Sequence, residues 1–559
     1  MVPAESTEWT SAPQLPAARW TTDDPYAVRP LSVVDLTRPW RLDFHQPRGV
    51  VPLGIGFAEA IASGSRWAAS ELGVDGGLIC RLVGVHVYLG PAGSTSLSGT
   101  EDADAMDRLV PGGDYTAYAR GFARQWQETA DRLREDLESL DNVSLEELPA
   151  PELATVWDRA VRVHQESWRV HFAVMYPVFA IHERFVGVCA KHGFSALQAT
   201  AMLGMPDHSI ARADRALAEL AALAREAGIE AIFVHTPASQ VLRRLRGEAR
   251  AAGWLSALDR FLAEHGRRSA AVSDLDSPAW TERPQVVVGL VRAALVGGLD
   301  AQRGSGSVPA TLDQLTAAGR DEVEAARALA VSVHAPWWNE EHNALIDLRA
   351  HLPARGIALA AGRLLRLPRA RDALYLLEPE LSAVLRGNAS VGELLPVLRE
   401  RRHYVEAWRA RRSELPGHLG AEDSGSDLVM RQILGMADAR VAAPATPMSE
   451  LDGLGVSPGV ARGRARVLST ADDIVTFRSG EVLVCQATSP SWTPAFSRAA
   501  AAVCDAGGLL THAATVSREY GLPCVCAVLV GTTVIRTGDL VEVDGDAGTV
   551  RILERGGQR

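Results

Sequence analysis

Apolar residues three and four apart, with charges between them, dominate the first three-quarters of the chain. From Tyr115 to Leu140, YTAYARGFARQWQETADRLREDLESL reads as an amphipathic helix. A second helix is predicted from about Pro151 to Tyr176, where Pro177 should kink or end it. Further helices are predicted over Ala211–Gly228, Gln240–Gly266 and, within one long periodic stretch, Thr311–Gly356. VVVGLVRAALVGGL (Val286–Leu299) is too short to cross a bilayer, carries Arg292 and reads as a core helix. Alternating strand patterns are scarce before residue 440.

After that the pattern changes. VARGRARVL, EVLVCQA, AAAVCD, PCVCAV, DLVEVDG and GTVRIL are short apolar runs rich in β-branched residues, separated by Gly, Pro and Asp turns, and they read as strands. One helix sits among them, beginning near Thr511 and stopping before Gly521-Leu522-Pro523. The predicted architecture is multidomain. Residues 1–20 are disordered, 21–440 form a large, mainly α, substrate-type domain, 441–453 form a Pro- and Ala-rich linker, and 454–556 form a small α/β domain.

Charge and composition narrow the function. A net charge of −11 argues against a nucleic-acid surface. The first residues, MVPAESTEWTSAPQLP, are too polar for a signal peptide, so the expected location is the cytoplasm and no membrane partner is expected. Six cysteines, none in a C-x-x-C pair, suggest buried thiols and no zinc ribbon; no metal site is predicted. Lys191 is the single lysine, and no G-x-x-x-x-G-K-[ST] is present. A P-loop nucleotide site of the chain's own is therefore not expected.

The richest chemistry lies in GGLLTHAATVSREYGLPCV, Gly507–Val525. A strand ends at Asp505, Gly507 and Gly508 make a tight turn, and a helix starts at Thr511 and His512. Unpaired amides and the positive dipole end at that helix start favour an anion. Thr511 can cap the helix or donate its hydroxyl to that anion. A neutral imidazole there is a nucleophile able to take and pass on a phosphoryl group. The alternative is a helix-start histidine with a merely structural, hydrogen-bonded ring.

The stretch from about Leu454 to Leu553, with GVSPGVARGRARVL, GGLLTHAATVSREYGLPCV and GDLVEVDGDAGTVRIL, strongly resembles the phosphohistidine swivelling domain of the phosphoenolpyruvate-utilising enzymes. The resemblance implies that His512 is phosphorylated in turnover, with Gly507, Gly508 and Thr511 around the phosphate. One departure is that Gly531-Thr532 falls late in CVCAVLVGTTV, which bears on the docking edge. Residues 20–440 resemble the middle domain of rifampicin phosphotransferase and its relatives, less specifically. In FLAEHGRRSAAVSDLDSPAWTERP, Arg267, Ser273 and Ala279 replace the usual His, Glu and Arg, while Arg268 and Asp274 remain. Glu341, His342 and Arg349 stand at expected places.

The resemblance also implies a division of labour. The full-length relatives carry an ATP-grasp domain ahead of these segments, so ATP and Mg²⁺ are expected on a separate ATP-grasp-type partner and no cofactor on this chain. The acceptor is expected to be a hydroxyl on a small molecule. In the helical domain Arg268 could steer the phosphoryl group, and Glu341 or His342 could take the hydroxyl proton, with Arg349 and His182 as further pocket residues. Against this stands an Arg268–Asp274 structural pair with a solvated Glu341. His164, Trp168, His171, Met175, Val178 and His182 recur at steps of three and four and read mainly as a core face. A phosphotransferase component is the reading; a dehydratase or lyase using the same domain pair and a non-enzymatic phosphocarrier are the alternatives.

Overall fold

A computed structural model describes residues 29–73, 76–92, 109–110, 113–203, 209–297, 312, 315–333, 338, 341–421 and 449–556. The stretch expected to be disordered (1–20) and the first eight residues of the expected linker (441–448) lie outside these residues.

Helices dominate up to residue 410. The main ones are α1 (Ile55–Glu71), α2 (Tyr115–Asp141), α3 (Ala150–Lys191), α4 (Ser209–Glu226), α5 (Ala252–His265), α6 (Pro284–Gly297), α7 (Ala317–Val333), α8 (Leu352–Leu364) and α9 (Val391–Ala410). In α2, Asp114 caps the start by accepting from the Ala117 amide at 2.9 Å, and Phe122, Trp126, Leu133 and Leu137 form its buried stripe. Pro177 neither ends nor shortens α3, which runs through it for 42 residues. Its apolar face packs along α1, α7 and α8, and this burial outweighs the lost backbone bond. Among the described residues α3 is the one helix long and apolar enough to cross a bilayer, and it is a core helix here. The single helix expected over Gln240–Gly266 is two, Ala238–Arg246 and α5, broken at Gly247.

A five-stranded sheet in the helical region escapes the sequence pattern. Its strands are β1 (Arg29–Pro30), β2 (Pro39–Leu42), β3 (Leu78–Val83), β4 (His86–Pro91) and β5 (His418–Gly420), in the order β1-β3-β4-β2-β5. Every residue of β4 is buried, so it shows no alternation of apolar and polar positions.

The C-terminal domain is an eight-stranded sheet. Its strands are β6 (Glu450–Asp452), β7 (Leu454–Ser457), β8 (Val460–Val467), β9 (Val482–Cys485), β10 (Ala501–Cys504), β11 (Cys524–Cys526), β12 (Leu540–Asp544) and β13 (Thr549–Glu554), in the order β6-β13-β12-β8-β9-β10-β11-β7. Strands β8 to β11 run parallel, and α10 (His512–Glu519) connects β10 to β11. The end of the expected linker is ordered as β6, paired antiparallel with β13. All six cysteines are buried free thiols. Four of them, Cys485, Cys504, Cys524 and Cys526, gather on strands β9 to β11, with Sγ–Sγ distances of 3.7 Å (Cys485–Cys504) and 3.9 Å (Cys524–Cys526).

The helical region serves two cores. Residues from Leu31 to Leu203 and from Val323 to Leu419, with Val272 and Leu275, build the larger one. Helices α4, α5 and α6 instead share a core with the C-terminal domain, where Val287, Val288 and Val291 join Ile474, Phe477 and Phe496. One C-terminal residue crosses over. Leu510, two positions before His512, is 1% exposed and buried in the larger core.

Candidate functional site

The path from β10 into α10 places His512. Gly507 has φ +136°, and a Cβ there would lie 3.0 Å from Thr511 Oγ1 and 3.3 Å from Cys526 Sγ. Asp505, before the turn, accepts from the Thr532 amide at 3.1 Å and from the Thr532 hydroxyl. Burial pushes its carboxyl up to about 6, against the pull of the Thr532 and Gly531 donors. The late Gly531-Thr532 thus clasps the base of the His512 loop.

Thr511 occupies the N-cap position but does not cap. Its hydroxyl donates to the Gly508 carbonyl at 2.7 Å. The first-turn amides of α10 consequently have no side-chain cap, which suits an anion. His512 is 4% exposed; its Nε2 lies 3.3 Å from Thr493 Oγ1, and its ring meets Phe496 edge-on at 6.0 Å. The Thr493 hydroxyl gives its proton to the Pro490 carbonyl at 2.9 Å, so it accepts from His512 Nε2–H.

His512 and Thr511 border a partly open cleft between the two cores. The helical side contributes His45, His171, Asp347, Asn343 and an apolar wall of Phe44, Met175 and Phe179; the C-terminal side adds Gln486, Ser489 and Trp492. Among the described residues no arginine or lysine lines it. His45 Nδ1 is 2.5 Å from Asp43 Oδ1, which also accepts from the His45 amide at 3.1 Å. Burial lowers the basicity of His45, but Asp43 and then Asp347 raise it further, and the net shift is upward. His171 Nδ1 is 3.8 Å from Asp347 Oδ1. Burial, with His342 and His45 as neighbouring charges, holds His171 well below the usual imidazole range.

Most helical-domain candidates lie away from this cleft. Arg268 is buried over the Trp280 ring, with Nε donating to the His265 carbonyl at 2.8 Å. Asp274 is not its partner; the Asp274 carboxylate accepts from the Asp276 amide at 2.9 Å. Glu341 accepts from the Ser209 amide at 2.7 Å and from its hydroxyl at 2.5 Å, so it closes the start of α4. Arg349 binds Asp141 at 3.1 Å beside Arg267. His182 is buried on Thr200 Oγ1 at 2.9 Å, and burial then Arg518 lower its pKa to about 3. His342 is fully buried, stacked on Trp338 at 3.9 Å, with its ring 4.2 Å from His171. It backs the cleft wall without lining it.

The histidine face of α3 divides. His164 bonds Ser273 Oγ at 2.9 Å in the core, whereas His171 and Met175 reach the cleft. His45, Asp347 and Asn343 were not singled out from the sequence. For His45 a signal existed in LDFHQPRG, where a D-x-H leaves a strand into a Pro- and Gly-bearing loop. Asp347 lies in a π-helical turn, Asn343–Asp347, that no periodicity announces.

Comparison with known proteins gives matches over both regions. Residues 477–548 match the family "PEP-utilising enzyme, mobile domain", and residues 169–339 match "Rifampicin phosphotransferase fourth domain". The chain is 32% identical over 528 residues to "Chondramide synthase cmdD" of Chondromyces crocatus, covering 89% of this chain and 13% of that protein. It is 26% identical over 336 residues to "Uncharacterized phosphotransferase YvkC" of Bacillus subtilis, covering 58% of this chain and 40% of that protein. A 100-residue segment is 47% identical to "Phosphoenolpyruvate synthase" of Pyrococcus furiosus, covering 18% of this chain and 12% of that one. The chain therefore spans less than half the length of each of these relatives. Its C-terminal domain is thus similar to the mobile domain of the phosphoenolpyruvate-utilising enzymes, and part of the helical region ahead of it is similar to the fourth domain of rifampicin phosphotransferase.

Proposed function

We propose that this chain is a phosphotransferase component. His512 receives a phosphoryl group from a separate ATP-grasp-type protein, which holds ATP and Mg²⁺, and passes it to a hydroxyl of a small molecule in the cleft. The observation that carries this reading is the position of His512, at an uncapped helix start on the lip of a cleft walled by the helical region. The single lysine and the missing P-loop support an outside source of phosphate. Similarity to rifampicin phosphotransferases supports a small-molecule acceptor. The apolar wall, with no lysine or arginine along it among the described residues, favours an acceptor that is largely apolar and uncharged near its hydroxyl. The proposed location is the cytoplasm.

Labelling tests this. The resemblance implies that the partner splits ATP to AMP and phosphate, so the pure chain should not hydrolyse ATP, and adding the ATP-binding partner with [β-³²P]ATP should label His512. Robust ATP hydrolysis by the pure chain overturns the split arrangement. Product analysis then separates the chemistry, since a phosphate ester supports transfer and an alkene supports elimination.

A further inference from the structure

We propose that His45, held by Asp43, is the general base that takes the proton of the hydroxyl attacking phosphorylated His512. The assignment rests on the reading of His512 as the carrier.

Three observations carry it. His45 and His512 border the same cleft from opposite sides, one on the helical body and one on the C-terminal domain. Asp43 fixes the ring of His45: its Oδ1 accepts Nδ1–H at 2.5 Å and the His45 amide at 3.1 Å. That leaves Nε2 as the basic nitrogen. The His45 side chain keeps 15% exposure while Asp43 has 1%, so the base is reachable and its positioning residue is not. Phe44 stacks on the ring at 4.2 Å, and the His45 carbonyl accepts from the Val272 amide at 3.1 Å, which ties the loop to the cleft floor.

The other titratable groups of the cleft suit the task less well. His171, buried among Trp168, Phe172 and His342, stays neutral, with its Nδ1 3.8 Å from Asp347. Asp347, on the same helical side of the cleft, raises the basicity of His45. His45 is thus the cleft imidazole tuned upward, toward the working range of a general base.

The step balances. The acceptor oxygen forms a bond to phosphorus as the His512 N–P bond breaks, and that electron pair returns to the ring nitrogen. The hydroxyl proton goes to His45 Nε2. The released His512 nitrogen takes up one proton from solvent, and His45 later returns one. The net transfer is one phosphoryl group in one direction and one proton in the other. Water in the cleft reacts by the same route and gives inorganic phosphate.

The test uses the full chain with His512 phosphorylated chemically by potassium phosphoramidate. Loss of phosphate to water, and to phenol as a probe hydroxyl, is followed by ³¹P NMR from pH 5.5 to 9. H45N should slow both by about 100-fold or more at pH 8. The wild-type excess over H45N should rise with pH through a value above the ordinary imidazole pKa of about 6.5. D43N should move that limb to lower pH, because burial then acts on His45 with less opposition; a merely structural Asp43 would leave it in place. Melting curves for H45N and H45Q check the fold. Phosphate on His512 with unchanged loss in both His45 variants overturns the base assignment and leaves the carrier intact. No phosphate on His512 overturns the carrier, and this proposal with it.

Discussion

Leu510 couples the His512 loop to the helical body, and cutting it back to alanine should separate docking from charging. The side chain is 1% exposed and sits in the larger core, whereas the loop that bears it belongs to the C-terminal domain. Removing a buried leucine down to Cβ costs about 2–5 kcal/mol, counting the lost burial and the cavity left behind. Part of that cavity would fill when the loop relaxes, so about 2–3 kcal/mol against the docked arrangement is a fair figure. At ~1.4 kcal/mol per tenfold, the undocked fraction rises by roughly 30- to 150-fold. Docked His512 is 4% exposed, so an external phosphoryl donor reaches it chiefly in the undocked state. L510A should therefore be phosphorylated by phosphoramidate at least ~10-fold faster than wild type. Peptides covering 505–516 should exchange amide hydrogens faster in the same variant. Charging at the wild-type rate or slower, with unchanged exchange, would refute the idea that Leu510 holds the carrier in place.

Other residues give independent checks. Gly507→Ala places a side chain at φ +136° against Thr511 and Cys526, and should cost about 2–4 kcal/mol and slow charging of His512. Gly480→Ala, at φ +81° with open space around it, should cost only about 1–2 kcal/mol and leave charging alone. Equal effects of the two substitutions in urea titrations and charging assays would remove the geometric argument. Glu341→Ala should destabilise the start of α4 by about 1–2 kcal/mol without altering phosphoryl transfer, and a transfer defect with full stability would restore it as a site residue. Burial lowers His86 to about 4 and His182 and His351 to about 3. Each of these must gain a proton on unfolding, so stability is full above pH 6.5 and is lost as pH falls. Three such groups remove up to ~4 kcal/mol per pH unit between pH 6 and 5, and Asp505, raised to about 6, returns ~1 kcal/mol per unit. Urea midpoints that do not fall over that range would contradict the neutral, buried state of these histidines.

The C-terminal domain was legible because its signals are local. Short apolar runs broken by Gly and Pro, and one helix between two such runs, need no distant partner to be read. The local pattern placed His512 at a strand–Gly–helix turn with a structural role still open, and the family resemblance is what marked it as the expected carrier. The N-terminal sheet was hidden because β4 is buried throughout and β5 arrives from more than 300 residues away. The cleft was hidden for a related reason. Its walls come from the loop after β2, from α3, from the turn before Ser273 and from a π-helical turn, which meet only when the chain folds. Residue type alone misled at Arg268, Glu341 and Arg349. These are plausible ligands for phosphate or proton, yet each is committed to a backbone carbonyl, a helix start or an aspartate. Pro177 misled in the other direction, since packing on three sides carries α3 straight through it.

His512 as phosphoryl carrier is tested most directly by mapping phosphate on the protein after incubation with the proposed ATP-grasp-type partner and [β-³²P]ATP. The account predicts one acid-labile, base-stable phosphate on His512, absent from H512A, and lost from the wild type when a hydroxyl acceptor is supplied. Label on another residue, or equal labelling of a folded H512A, would contradict it.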